Sequence, residues 1–317
     1  MIATTLVGLV AGLASALMFA SITSGALISL LLINLAPLPL MVAGLAWGPL
    51  GPAIGSVAAI VVIGSVFGLP YGLAFVLTNV LPACWLSHLV LLGRSQANGT
   101  PMPGRHEAIE WYPVGRILLW IVILAALITT ATLLTMGSDD PSIRHTIRRG
   151  WAELLDSAGI ASKDATLDVL VLLTPIGAEI AAVLMLTFNL WLAGKIAATS
   201  GRLPRPWPDL KSTALPSWMI AVLGLTVAFC FLGGLPAILA QVLTAGISIA
   251  YAMSGFAVLH TLTLAMKSRI FLLVCTYAIV AAFAWALLPI VLLGLADAVF
   301  GLRQRYLRSR PPPLPGS

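Results

Sequence analysis

Glu179 is an acid at a depth where acids are rarely placed. It lies in TPIGAEIAAVLMLTF, near the centre of an apolar run over 167–194. A carboxyl at the middle of a bilayer costs about 2.5–3.5 kcal/mol on insertion scales. Desolvation penalises its charged form, so a neutral Glu179 is expected. Pro175, one turn earlier, lacks the N–H that would hold the Val171 carbonyl. A protonated Glu179 could bond locally within this loosened turn. Asn34, Asn79 and Tyr251 fall near the middle of their own apolar runs, 23–47, 70–92 and 237–265. Asn34 also directly precedes a proline break at Pro37. Polar groups at one depth beside an interrupted helix suit solute binding rather than bond-making. One expectation is therefore a midplane pocket of Asn34, Asn79, Glu179 and Tyr251. The other is four separate residues, each satisfied by a neighbouring helix.

Other chemistries lack their residues. The sequence has no Gly-x-x-x-x-Gly-Lys-[Ser/Thr] loop and no His-Glu-x-x-His. No serine nucleophile motif stands out. His88, His106, His145 and His260 are not paired at metal-ligand spacing. Cys84, Cys230 and Cys275 are isolated thiols in apolar runs, expected to be buried and inert. The chain is read as a non-enzyme with no metal and no cofactor.

The elements that position these residues follow from composition. Of 317 residues, 60% are hydrophobic and 9% charged, whereas soluble domains carry about 25% charged residues. Lipid must cover much of this surface. The expected fold is all-α: a polytopic transmembrane bundle of about 8–10 helices, some kinked or broken. The net charge of +6 resides in loops and tail. It speaks to orientation and anionic lipid, not to nucleic acid. The first apolar run has no basic residue before it, so it is read as a retained span rather than a secretory signal.

Spans are expected near 3–22, 23–47, 50–67, 70–92, 113–136, 167–194, 215–233 and 237–265. The run 270–302 suits one very long helix or two short ones. Charge decides. With a hairpin turning near Leu288-Pro289, thirteen of the seventeen basic residues share one side; with a single helix the split is nine to eight. Cytoplasmic loops favour Lys and Arg, so the hairpin is preferred, with both termini cytoplasmic in a cell-membrane protein. Residues 1–302 are read as one transmembrane domain and 303–317 as a basic, proline-rich tail. Residues 137–166 form an external loop. In it, Asp140-Pro141-Ser142 starts a helix, and Ile143, Ile147, Trp151, Leu154 and Ala158 follow at helical spacing before Gly159. This helix is expected either to lie on the membrane surface or to pack on the bundle as a connector.

The stretch PLPLMVAGLAWGPLGPAIG, residues 37–55, is apolar yet broken by Pro37, Pro39, Pro49 and Pro52. Breaks in lipid survive only where protein or water covers them, so this region is expected inside the bundle. Gly44 and Gly48, and then Gly51 and Gly55, would admit a neighbouring backbone. Pro49-Leu50-Gly51-Pro52 would form the turn between spans. The stretch resembles the signature of the YybS-like predicted membrane proteins, a family of unknown function. SGFAVLHTLTLAMKSR and LLGLADAVFGLRQRY near the C-terminus extend the resemblance through Gly294, Leu295, Ala296, Asp297, Phe300 and Arg303. The family often has an acid after Phe300, where this chain has Gly301. Asp297 is expected to pair with a nearby arginine.

The same stretch more distantly resembles the second-helix region of the substrate-binding (S) components of energy-coupling factor transporters. In the first span Gly8, Gly12, Ala16, Ala20 and Ser24 recur every four residues, a row that lets helices touch in lipid. S components use an Ala-x-x-x-Ala face of this kind to meet a transmembrane coupling subunit. Ala16 and Ala20 are the closest match. The alternative is packing within the chain's own bundle. S components have six helices, fewer than expected here. The resemblance implies small-solute uptake, with membrane lipid around the chain and a coupling subunit and ATPases in other chains. The alternative function is a non-transporting scaffold that holds membrane partners; an intramembrane enzyme is a distant third.

Overall fold

The computed structural model describes residues 2–95, 109–161, 163–208 and 213–308. Arg105, His106, Lys211 and the tail from 309 onward, with Arg310, lie outside them. The apolar runs become helices α1 (Ile2–Ala20), α2 (Leu27–Leu35), α3 (Leu38–Trp47), α4 (Leu50–Phe67), α5 (Leu69–Phe75) and α6 (Leu81–Leu91). A short antiparallel pair follows, β1 (Gly93–Ser95) with β2 (Ile109–Trp111), Gly93 opposite Trp111. Then come α7 (Val114–Met136), α8 (Asp140–Ser157), α9 (Asp164–Thr199), α10 (Met219–Phe229), α11 (Gly234–Leu262), α12 (Arg269–Ala282), α13 (Leu287–Phe300) and α14 (Leu302–Arg308).

Among the described residues seven helical segments are long and apolar enough to cross a membrane, or eight if the bent pair of residues 284–308 is one span. Large apolar side chains such as Leu6, Leu27, Val61, Leu69 and Ile270 face outward. The chain is a multi-pass helical membrane protein. Two expected spans are short. α10 has 11 residues and α12 has 14, so they reach only about 16 and 21 Å at ~1.5 Å per residue, against a hydrocarbon core of about 30 Å. The run 270–302 is broken, at 283–286 rather than near Leu288-Pro289. Phe283 is extended there, and Pro289 falls in the first turn of α13, where its missing N–H costs no bond.

Backbone contacts cluster into two compact units where the sequence suggested one domain over 1–302. The first holds α1–α6, the β-pair, residues 123–128 of α7 and residues 181–207. The second holds the two ends of α7, α8, residues 164–180 of α9, and α10–α14.

In the first unit α1 and α4 touch backbone to backbone. A Cβ added at Gly8 would run into the Gly51 carbonyl, and one at Gly12 into the Gly55 carbonyl. Ala16 is buried, Ala20 half-buried and Ser24 exposed, its hydroxyl 2.8 Å from that of Ser29. Gly8 and Gly12 are thus engaged by the chain's own α4, not displayed to a partner. Gly44 lies against Ser87 and Pro52, as a packing glycine should. Gly48 does not: nothing lies within 4 Å of where its Cβ would be, and its φ is 82°. It serves the turn that ends α3, and α4 starts directly after Pro49.

The Pro37 break lies inside this unit; Pro37 and Ala36 are buried. Pro37 and Pro39 each remove a donor from the helical ladder. The Ala36 amide turns to the Ile33 carbonyl at 3.3 Å. The Asn34 carbonyl accepts from Asn189 Nδ2 of α9 at 2.9 Å, and the Ala36 carbonyl accepts from Ser15 Oγ of α1 at 2.6 Å. The carbonyls these prolines leave without an i+4 donor are those of Ile33 and Leu35, and side chains from two other helices bond the neighbouring Asn34 and Ala36 carbonyls.

In the second unit α8 packs its apolar face on its neighbours, as the connector expectation has it; lying at a membrane surface is a separate matter, set by where the bilayer sits. Asp139 caps it, accepting from the Ser142 amide at 3.1 Å, and Ser142 Oγ accepts from the Asp139 amide in return. Gly159, at φ 69°, follows its end. Ile143 and Ile147 are buried. Trp151 Nε1 donates to Thr174 Oγ1 of α9 at 2.8 Å, and Arg148 pairs with Asp164 and Asp168. Leu154 alone of its large apolar residues stays well exposed.

α11 and α13 meet at a second backbone contact, where Gly255 faces the Ile290 carbonyl and Gly294 the Tyr251 carbonyl. Gly301, at φ 62°, then lets α14 turn by 65°. Arg303, expected in a solvated tail, is buried. Its amide and Nε donate to Asp297 at 2.8 Å each, and Nη2 donates to the Thr213 carbonyl at 2.7 Å. Phe300 is exposed.

Gly12→Ala forces a methyl group into the Gly55 carbonyl and is expected to destabilise the protein by about 1–3 kcal/mol. Gly64→Ala, on the same α4 but with open space beside it, is the control. It should be neutral or stabilising by up to about 1 kcal/mol. Reversible unfolding in mixed detergent micelles measures both.

Candidate binding site around Glu179

α9 is 36 residues long, and Glu179 sits near its centre with no accessible surface. Amphipathic logic does not apply to a helix of this composition; neighbours fix its orientation. α7 supplies Thr129, whose hydroxyl donates to Glu179 Oε2 at 2.9 Å. α11 supplies Gly246. A Cβ there would lie 2.5 Å from Oε1 and 2.9 Å from Val122 Cγ1. Only a glycine leaves room for the carboxyl. Oε1 itself has no hydrogen-bond partner.

The four residues expected in one layer fall two in each unit. Glu179 and Tyr251 belong to the second. Tyr251 is fully buried on α11, and its hydroxyl has no hydrogen-bond partner. Asn34 and Asn79 belong to the first. Asn79 sits in a π-helical segment, Val76–Val80, and donates to Thr78 Oγ1 at 2.7 Å. The Asn34 side chain is exposed and donates back to the Leu30 carbonyl of its own helix at 2.7 Å. At that position the backbone carbonyl, not the amide side chain, is what another helix uses.

Sequence reasoning missed Thr129, Gly246 and Asn189. Thr129 and Asn189 carried a readable signal, since each is a hydrogen-bonding side chain well inside an apolar run. Gly246 carried none, because glycines are common throughout this chain.

Arg144 of α8, Pro175 of α9 and Gln241 of α11 line a shallow cleft too narrow to hold a water molecule. Pro175 is one turn of α9 from Glu179. Among the described residues no cluster of three His, Cys, Asp or Glu could hold a metal. His260 Nε2 lies 2.9 Å from the Tyr277 hydroxyl. Around Glu179 there is one carboxyl, one hydroxyl and bare backbone. That set can accept a hydrogen bond or hold a proton.

Gly246→Ala is expected to cost about 1–3 kcal/mol through overpacking against Oε1. Adding Glu179→Ala to it should cost less than the sum of the two single changes, because the clashing carboxyl is gone. Additive values in a double-mutant cycle would contradict the contact.

No family model, curated protein or solved structure matches this chain, so its function rests on this geometry.

Proposed function

We propose that the chain is a membrane transport subunit that binds a small solute at Glu179. One observation carries the reading: a wholly buried carboxyl in the middle of a membrane helix, held by Thr129 at one oxygen and unmatched at the other. Leaving a buried acceptor unmatched costs about 1–3 kcal/mol. An acid kept only for packing gains nothing from that cost. An acid that receives an N–H or O–H from a bound solute recovers it.

Against the rival reading, a scaffold, stands the cover on part of its two display surfaces. Gly8 and Gly12 are covered by α4, and α8 lays its isoleucines inward. The same covering means that a coupling subunit of the S-component kind, with its ATPases, would have to meet a surface other than this row. Membership of the YybS-like family and placement of the basic loops and both termini in the cytoplasm belong to this proposal.

Native mass spectrometry of protein extracted with its endogenous small molecules tests it. The wild type and Asn34→Ala should carry the same bound mass, and Glu179→Gln should lose it at least tenfold. Identical spectra for all three would contradict the proposal.

A further inference from the structure

The first unit carries a cationic feature that solute binding at Glu179 does not use. Beyond Thr199 the chain folds back on α9. Gly201 takes φ 65°, and the amides of Arg202 and Leu203 both donate to the Ala197 carbonyl, at 2.9 and 3.1 Å. The fold-back lays Arg202 over the Trp47 ring at the end of α3, 4.6 Å from its centroid. It places the Trp207 ring against Gly194 and 4.1 Å from Lys195 Nζ. Arg205 goes deeper. It is 8% exposed, and its one hydrogen bond among the described residues is to the Val90 carbonyl at the end of α6, 3.2 Å away.

A guanidinium has five donors, so most of this buried cation's capacity is unspent. None of the salt bridges among the described residues involves Arg205, Arg202 or Lys195. Burial pulls the Arg205 pKa down, with no acid beside it to hold it up. The obvious counter-charge is the set of helix C-termini that these residues meet, those of α3, α6 and α9. Each end carries about −0.5 charge, roughly −1.5 in all against three cations, which leaves an excess of about +1.5. That excess suits a phosphate group. Arg202 sits over the Trp47 ring and donates no side-chain hydrogen bond among the described residues, so its guanidinium remains available for a forked contact. Trp207, 42% exposed, is the residue type that sits at the headgroup level of a bilayer.

We infer that Lys195, Arg202 and Arg205 form a binding site for a phosphate-bearing anion, met in the membrane as the phosphodiester of an anionic phospholipid.

The test uses the full chain in a neutral detergent, with dioleoyl phosphatidylglycerol, dioleoyl phosphatidylcholine or inorganic phosphate added. Lipid adducts are followed by native mass spectrometry. The wild type should hold phosphatidylglycerol in preference to phosphatidylcholine. Arg202→Gln and Lys195→Gln should each weaken it about fivefold, the effect of one cation near an anionic surface. Arg205→Lys, which keeps charge but loses the fork, should weaken it too. Arg149→Gln, an exposed cation on α8, should leave it unchanged. Displacement of the lipid by millimolar phosphate would identify a site that also takes the free anion; no displacement would identify a headgroup site. Equal retention of the two lipids with no effect of phosphate would overturn the inference. So would an Arg149→Gln loss as large as that of Arg202→Gln, since it would reveal diffuse charge. If Arg205→Lys does not fold, the two variants at exposed positions decide.

Discussion

Hydrocarbon offers no hydrogen bonds, and that single constraint organises this protein. Every carbonyl released by a break in a helix must find a donor from the protein itself. At the Pro37 break the Ile33 carbonyl takes the Ala36 amide, and two side chains, Ser15 from α1 and Asn189 from α9, bond the adjoining Ala36 and Asn34 carbonyls. Helices distant in sequence are thereby tied to one interrupted turn. By the same rule Glu179 Oε1 is an unmatched acceptor, as are Asn189 Oδ1 and the Tyr251 hydroxyl, but only Glu179 is an acid.

Packing without a hydrophobic driving force is the second theme. Between apolar helices in lipid, close contact depends on small residues that let backbones meet. Gly8 and Gly12 against Gly51 and Gly55 make one such seam in the first unit. Gly255 against Gly294 makes another in the second. Gly246 turns the same property to a different use, since the space it leaves holds a carboxyl instead of a helix backbone. The buried Asp297–Arg303 pair shows how a charge is kept in such surroundings: both partners are nearly inaccessible, and the guanidinium also reaches the Thr213 carbonyl.

Much of the fold was legible in the sequence because helix spans depend on composition and length. The breaks were legible too, since proline announces itself. Partners were not. Glu179 stood out by its charge, but nothing in the order of residues joins it to Thr129, fifty positions away, or to Gly246. Asn34 was singled out for its side chain, yet the structure uses its carbonyl, which any residue would have provided. Gly48 and Gly44 share a spacing but not a role; only the backbone angle of one and the neighbours of the other separate them. Arg303 read as tail because its burial depends on a turn at Gly301 and on the distant Thr213.

The most direct measurement is the unfolding free energy of Asn189→Leu and Ser15→Ala in mixed detergent micelles, each beside a surface control such as Asn34→Ala. If the broken turn relies on these donors, each change strands a buried carbonyl and lowers stability by about 1–3 kcal/mol, while the control stays near wild type. Stabilities of Asn189→Leu and Ser15→Ala equal to wild type would mean that water or lipid-exposed backbone tolerates the break, and the account would be wrong.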